Sequence, residues 1–291
     1  MILVTGSTGT NGTYLIRELS ALGAPTRALV RTPEKANIAR QEGAEEIAVG
    51  DFEAPETLDA ALEGVERAFL VAPFIPQQVE WEGNFVEAAG RAGVRHVVKL
   101  SVLGAHTESP LRLARPHAWV ERQIEASGIP YTFLRPNEYM QNTLSNAPQV
   151  ATEGRFYAPF ADARVAMIDV RDIAAVAART LTEPGHEGRT YELTGPEAIS
   201  TRDVAEKLSE AIGKPVDLIE ISIDDAWQAM IGAGMSEWYA DGLVELFHFF
   251  QAGYAAGVAN GVAEVTGREP RRFEEFARDH RAAFAGTPEG S

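Results

Sequence analysis

The sequence predicts a doubly wound α/β fold built on a parallel sheet, followed by a smaller C-terminal α/β lobe, and three observations carry that reading. Short apolar or β-branched runs alternate with longer segments of helical period through the first half of the chain. The first run opens directly into a glycine-rich turn. After Pro136 the alternation gives way to a helix-rich pattern.

Strands are read at residues 2–5, 26–30, 46–49, 68–71, 96–100 and 131–134, and most are almost continuously apolar. Such strands suit a parallel sheet covered by helices on both faces. The crossovers are predicted helices over 12–22, 33–41, 55–62, 78–92 and 114–127, with apolar residues at three- and four-residue spacing and Gly or Pro beyond most of them. Beyond Pro136, residues 142–159 read as loop and 165–170 as a short apolar stretch. A helix over 172–181 is predicted with Asp172 as its N-cap, then a strand at 190–193. A helix at 200–212 capped by Ser200, a strand at 216–221 and two or three helices reaching Phe284 complete the lobe. Residues 286–291 read as a disordered tail.

Composition narrows the chemistry. With 291 residues, 45% of them hydrophobic and none of them cysteine, the chain needs no disulfide framework and has neither a thiol nucleophile nor thiolate metal ligands. A net charge of −16 opposes binding to a polyphosphate, so no nucleic-acid partner is expected. No apolar run approaches the ~18 to 20 residues of a membrane span, and the first residues are already a strand, so a cytoplasmic protein without a membrane partner is expected. His96, His106, His186, His248 and His280 show no metal-ligand spacing, and no metal site is expected.

The glycine turn carries the first functional signal. Gly6-Ser7-Thr8-Gly9-Thr10-Asn11-Gly12 sits between the first strand and the first helix, the context required of a Rossmann dinucleotide site. Gly6 permits the turn, Gly9 lets backbone approach a pyrophosphate, Gly12 lets the helix pack close, and the free N–H groups of the helix face the anion. About twenty residues on, the end of the second strand has no acidic residue to bind the ribose hydroxyls of NAD. Arg31 and Lys35 stand there instead. They are read either as partners of the 2′-phosphate of NADP, which makes NADP(H) the preferred cofactor over NAD(H), or as solvated surface cations. Asp51 and Phe52 close the third strand, where the adenine would lie, or else form a helix cap and a packed ring. Ala72, Pro73 and Phe74 close the fourth, near the nicotinamide ribose. The chain thus divides into a dinucleotide-binding domain at 1–150 and a substrate lobe at 151–291, with about 163–183 returning to the first domain.

Taken with Val4-Thr5-Gly6-Ser7-Thr8-Gly9, Ala28-Leu29-Val30-Arg31, Gly50-Asp51-Phe52, the stretch from Gly128 to Pro136 and the stretch from Gly188 to Gly195, these features resemble the NmrA-like group of atypical short-chain dehydrogenases/reductases. The resemblance spans nearly the whole chain. It implies an NAD(P)H-dependent oxidoreductase that passes hydride to a quinone or similar aromatic electrophile, or alternatively a non-catalytic NADP-sensing regulator acting through protein binding.

One departure shapes the mechanism. The wider dehydrogenase pattern places Tyr-x-x-x-Lys on the helix after strand five, whereas this helix offers His117 and, four residues later, Glu121. Ser101 and His117 are the candidate catalytic residues. His117 is read either as a proton donor beside Glu121 or as a residue paired locally with it, and Ser101 either as a relay hydroxyl or as a bonded strand terminus. Lys99, in an apolar strand, either reaches the cofactor end of the sheet or snorkels outward. Tyr139, Met140, Phe160, Trp227, Trp238, Phe247 and Phe250 are the candidate pocket residues for a small aromatic substrate. The apolar stretch 238–254 reads as a lid helix or as the contact of a homodimer.

Overall fold

The computed structural model describes residues 1–286, so of the expected tail all but Gly286 lies outside the described residues. The described chain clusters into two compact units. Unit 1 comprises Met1–Pro136, Val170–Glu192 and Glu264–Gly267, and unit 2 comprises Asn137–Asp169, Leu193–Ala263 and Arg268 onward. The expected boundary at residue 150 is displaced to Pro136, because Met140, Ala147 and Val150 are buried in the core of unit 2. The returning segment begins at Val170 and runs to Glu192, in place of the expected 163–183.

Unit 1 is the doubly wound sheet. Its elements run β1 (Ile2–Val4), α1 (Thr10–Ala21), β2 (Thr26–Val30), α2 (Ala36–Gln41), β3 (Glu46–Val49), α3 (Glu56–Leu62), β4 (Arg67–Leu70), α4 (Gln78–Ala92), β5 (His96–Leu100), α5 (Arg115–Ser127) and β6 (Tyr131–Pro136). In unit 2, α6 (Ala147–Glu153) and β7 (Arg155–Ala158) follow. The chain then supplies α7 (Val170–Thr182) and β8 (Arg189–Leu193) to the first sheet. That sheet has the order β3-β2-β1-β4-β5-β6-β8, and its pairs from β3 through β6 are parallel. Crossovers leave β1 in opposite directions, so the carboxyl ends of β1 and β4 flank the switch point where ligands bind in such folds.

Helices α3, α4 and α5 bury Leu58, Leu62, Phe85, Val120 and Ile124 against Leu3, Leu70, Val97 and Phe133 of the strands. Helix α7 packs against α1 and against β4, β5 and β6, and every position from Asp172 to Thr180 except Arg179 is buried. Asp172 is not the expected N-cap: the helix starts two residues earlier, and Asp172 lies in its first turn.

Unit 2 adds α8 (Thr201–Ile212), β9 (Asp217–Glu220), α9 (Ile223–Gly232), α10 (Glu237–Gln251), α12 (Phe273–Asp279) and α13 (Arg281–Ala285), with α11 (Gly261–Thr266) straddling the two units. Ser200 caps α8 in a reciprocal box with Asp203, as its sequence signature requires. The 142–159 segment is not a loop: a 3₁₀ turn (Met140–Asn146), α6 and β7 occupy it, and β7 pairs in parallel with β9. The 165–170 stretch makes only isolated bridges, Val165 to Ile199 and Tyr139 to Ile168. Among the described residues five helices, not two or three, follow β9, because short turns at Gly234, Gly253 and Gly267 interrupt the apolar pattern. No described helix is long and apolar enough to cross a membrane.

At the start of β5, His96 is buried and its Nε2 lies 2.9 Å from the Thr132 hydroxyl, which itself donates to the His186 carbonyl at 2.6 Å. The ring must therefore be the donor through Nε2. Burial lowers its pKa from 6.5 to about 4, Glu187 opposing and Arg67 assisting. The unfolded chain then binds a proton that the folded chain refuses, so this contribution to stability is complete above pH 6.5 and lost as pH falls toward 4. It amounts to about 3 kcal/mol across that window. Chemical denaturation of His96→Gln between pH 4 and 7 should show a pH slope shallower than that of the parent by this amount.

Candidate functional site

Glycine geometry builds the pocket of unit 1. Gly6 turns the chain with φ +57°, and the Gly9 N–H donates to the Gly6 carbonyl at 2.9 Å. A Cβ on Gly12 would lie 2.2 Å from that same carbonyl oxygen, so only glycine lets α1 approach the loop this closely. A Cβ on Gly9 would meet nothing closer than 3.4 Å, and Gly9 has extended backbone at φ −93° and ψ 173°. The space beyond Gly9 is open.

Side chains fix the loop from both sides. Ser7 donates to the Leu29 carbonyl at 2.6 Å, and Thr5 both accepts from the Val71 N–H at 2.8 Å and donates to its carbonyl at 3.1 Å. The hydroxyl of Ser7 is therefore engaged with β2, which leaves its backbone as the group facing the pocket.

The pocket wall is formed by Gly6, Ser7, Thr8, Arg31, Lys35, Asp51, Phe52 and Pro73 of the anticipated residues, joined by Thr5, Leu29, Val30, Gly50, Val71 and Trp81. Thr10, Asn11 and Gly12 lie outside this wall, on the first turn of α1, and Gly9 is its N-cap. Ala72 and Phe74 are also outside it. Trp81 was missed by sequence reasoning, although an aromatic in the first turn of the helix after β4 is the signal that would have found it. Arg31 and Lys35 are exposed, and neither has an ion-pair partner among the described residues. Asp51 turns one carboxylate oxygen to the Glu53 N–H at 3.1 Å, and Phe52 meets Phe85 edge-on at 5.7 Å.

These residues fit a bound dinucleotide. N-cap Gly9 supplies no side chain to the free N–H groups of α1, no acidic residue stands in the first turn, and the buried Oδ1 of Asn11 has no partner among the described residues. A helix terminus left open in this way suits a phosphate.

Next to the sheet lies a cluster that the sequence only hinted at. Lys99 is fully buried, not snorkelling: its Nζ pairs with Glu82 at 2.8 Å, donates to the Leu100 carbonyl at 2.6 Å and lies 3.2 Å from Nδ1 of His117. Gln78, one turn before Glu82 on α4, donates to it at 3.1 Å and lies 3.3 Å from Nε2 of His117. His117 is buried, with Phe74 edge-on at 5.4 Å. Burial holds its pKa well below 6.5, and the Lys99 ammonium lowers it further. The ring is neutral, with Nδ1 accepting from Lys99. His117 does not pair with Glu121. That carboxylate instead holds the Arg135 guanidinium in a two-pronged contact, with Nε donating at 3.0 Å. Ser101 is buried at the end of β5, and its Oγ has no partner among the described residues.

Unit 2 has a cavity of its own, about 860 Å³. Phe160, Phe247 and Phe250 line it, and Phe160 contacts the other two with ring centroids 5.1 and 5.3 Å apart. Four of the anticipated residues do not line it. Met140 is sunk in the core of unit 2, Trp227 donates its indole N–H to Asp241 at 2.9 Å, and Tyr139 and Trp238 are half-buried outside the lining. Their neighbours Glu138, Gln141 and Tyr239 line the wall in their place. Burial raises the pKa of Glu138, partly offset by the Asn142 amide, which donates at 2.8 Å, and burial likewise raises that of Tyr239, with Glu138 adding to it. A cavity of this size and lining suits a planar organic molecule.

Fold and site together define an NAD(P)H-dependent oxidoreductase of the Rossmann class. A match to the NmrA-like family runs over residues 1–277, and the chain belongs to that family. It is 44% identical over 284 residues to an NAD(P)H azoreductase of Xenophilus azovorans, covering 98% of this chain and 99% of that protein. The structure of the NADPH-dependent quinone oxidoreductase QOR2 of Escherichia coli, solved with NADPH, superposes with TM-score 0.86 at 32% identity, over 96% of this chain and 99% of the other. A triphenylmethane reductase of Citrobacter sp., complexed with NADP(H), gives TM-score 0.85 at 28% identity, over 97% of this chain and 100% of the other.

Two glycines separate binding from folding. Gly9→Val keeps an allowed backbone but fills the open space, so its melting temperature without ligand should match the parent while its stabilisation by NADPH disappears. Gly12→Ala drives a methyl into the Gly6 carbonyl and should lose about 1–3 kcal/mol of stability in urea titration. A Gly9→Val protein still stabilised by NADPH would show that phosphate binds elsewhere.

Proposed function

We propose that the protein transfers hydride from NADPH, in preference to NADH, to a quinone or related aromatic electrophile seated in the unit 2 cavity. The observation that carries the cofactor preference is the pair Arg31 and Lys35 on the pocket wall, unpaired among the described residues, with no carboxylate at the end of β2. The similarity to proteins named azoreductase, quinone oxidoreductase and triphenylmethane reductase supports the acceptor class.

In the proposed mechanism Gly6 to Gly12 hold the pyrophosphate with backbone N–H groups, Asp51 and Phe52 receive the adenine end, and Arg31 grips the 2′-phosphate through its planar fork. Bound NADPH supplies the hydride. The residues of this chain offer no strong acid of the usual kind: His117 is neutral, buried and already accepting from Lys99, and no Tyr-x-x-x-Lys pair is present. An acceptor electrophilic enough to take hydride before a proton is therefore favoured, and Ser101 and His117 modulate the reaction.

Arg31→Ala should weaken NADPH binding roughly ten- to hundredfold, the worth of a charge-assisted contact, and leave NADH nearly unchanged in calorimetric titration. Equal losses would refute the 2′-phosphate assignment. Anaerobic NADPH oxidation with a panel of quinones, azo dyes and triphenylmethane dyes tests the reaction itself. His117→Ala should lower kcat/KM by less than roughly tenfold, well short of the 10²- to 10⁴-fold of a general acid. Tight NADPH binding with no acceptor turned over would instead favour a regulator that senses the dinucleotide.

A further inference from the structure

The unit 2 cavity has two kinds of wall. Asn146, the N-cap of α6, and Gln149, in its first turn, line it with amides that make no side-chain hydrogen bond among the described residues. The apolar wall comes largely from α9 and α10, which pack on each other. Leu243 and Phe247 stand one turn apart on α10, Ala229 and Met230 are neighbours on α9, and none of the four is buried. Along the whole of α9 only Ala226 is buried. Apolar surface on two helices is thus left for an occupant to cover. The space is also large for one ring system. A bare bicyclic quinone has about a dozen heavy atoms, and at no more than the roughly 30 Å³ that a water molecule takes up, these fill less than half of the 860 Å³.

We propose that this cavity takes an acceptor built of a carbonyl-bearing ring and a flexible apolar chain, the ring oxygens against the amides of Asn146 and Gln149 and the chain along α9 and α10. The inference rests on the reading of the cavity as the seat of the acceptor. A bare ring would leave water against Ala229, Met230, Leu243 and Phe247, whereas a chain of several methylenes displaces that water and gains with each carbon buried. Met230 is unbranched and polarisable, so it can adjust to chains of different length. At the other wall a ring carbonyl accepts the amide N–H groups that the protein itself leaves unused. The chain lies away from the reacting ring, so its burial stabilises bound substrate and transition state alike and shows in KM rather than in kcat.

Two series test this with the full chain: redox-inert 4-alkylbenzamides with methyl, butyl and hexyl chains, titrated by calorimetry, and 1,4-naphthoquinones with the same chains at position 2, assayed as acceptors of NADPH. Affinity for the benzamides should rise roughly two- to fourfold per added methylene, the range from a partly to a fully buried CH₂, and KM for the quinones should fall in step while kcat stays within about twofold. Ala229→Trp, a change at an exposed helical position, fills the path of the chain and should abolish most of that gain. Met230→Gln makes the same wall polar, should halve the gain or more, and stands in if the first variant fails to fold. Affinity that does not rise with chain length, or a gain unmoved in a folded variant, as surface adsorption would give, overturns the proposal. Chain-dependent binding of the benzamides without turnover of any quinone leaves the chain site standing and removes the reductase reading. Turnover with KM indifferent to chain length does the reverse.

Discussion

The contact between Gly12 and the Gly6 carbonyl governs the carboxyl end of the sheet. With no room for even one carbon atom between them, α1 is drawn down onto the loop, and its first turn starts at Gly9 with no side chain capping it. Thr5 and Ser7 then tie the loop to the residues following β4 and to β2 respectively. The loop is thus held by bonds within the chain itself, which lowers the ordering cost of binding. Arg31, Asp51 and Pro73 lie around the pocket because each follows a strand of the same parallel sheet at its carboxyl end.

A second constraint is electrostatic. Lys99, Glu82, Gln78 and His117 form a polar cluster in an otherwise apolar layer between β5 and helices α4 and α5, with all four side chains buried. Such a cluster fixes geometry more than it adds stability, since desolvation offsets much of the attraction within the ion pair. Its effect on His117 is definite: the ammonium at Nδ1 assigns the tautomer and keeps the ring uncharged. In the short-chain dehydrogenase arrangement a lysine lowers the pKa of a tyrosine that keeps its proton to give, whereas here the same effect, added to burial, leaves His117 without the second proton it would need as a donor.

How much of this was legible in the sequence depended on the range of the interactions. The six strands of the first half and the helices between them are set by local periodicity, and they fall within about two or three residues of where the pattern put them. The glycine loop was legible because a backbone requirement is written in residue type. Residues 140–153 were not, since a 3₁₀ turn and a two-turn helix with Pro148 near its start carry too few repeats to show a period. The partner of the strand residue Lys99 lies seventeen positions earlier on helix α4, and nothing local marks Glu82 as buried. On α10 the aromatics alternate between faces, so the sequence signalled an apolar wall without telling Tyr239 and Phe247, which line it, from Trp238, which does not.

The threading of the chain has a consequence for its synthesis. Unit 1 receives α7 and β8 only after more than thirty residues of unit 2 have been made. While the ribosome is still translating that interval, one face of the nascent sheet lacks the helix that packs on β4, β5 and β6, and the β6 edge is open to strand addition. A nascent chain in this state is a natural client for chaperones that shield apolar faces. It also follows that neither unit can be excised with a single cut: a fragment ending at Pro136 would carry the whole glycine loop and the end of every strand around it, yet leave bare the surface meant for α7.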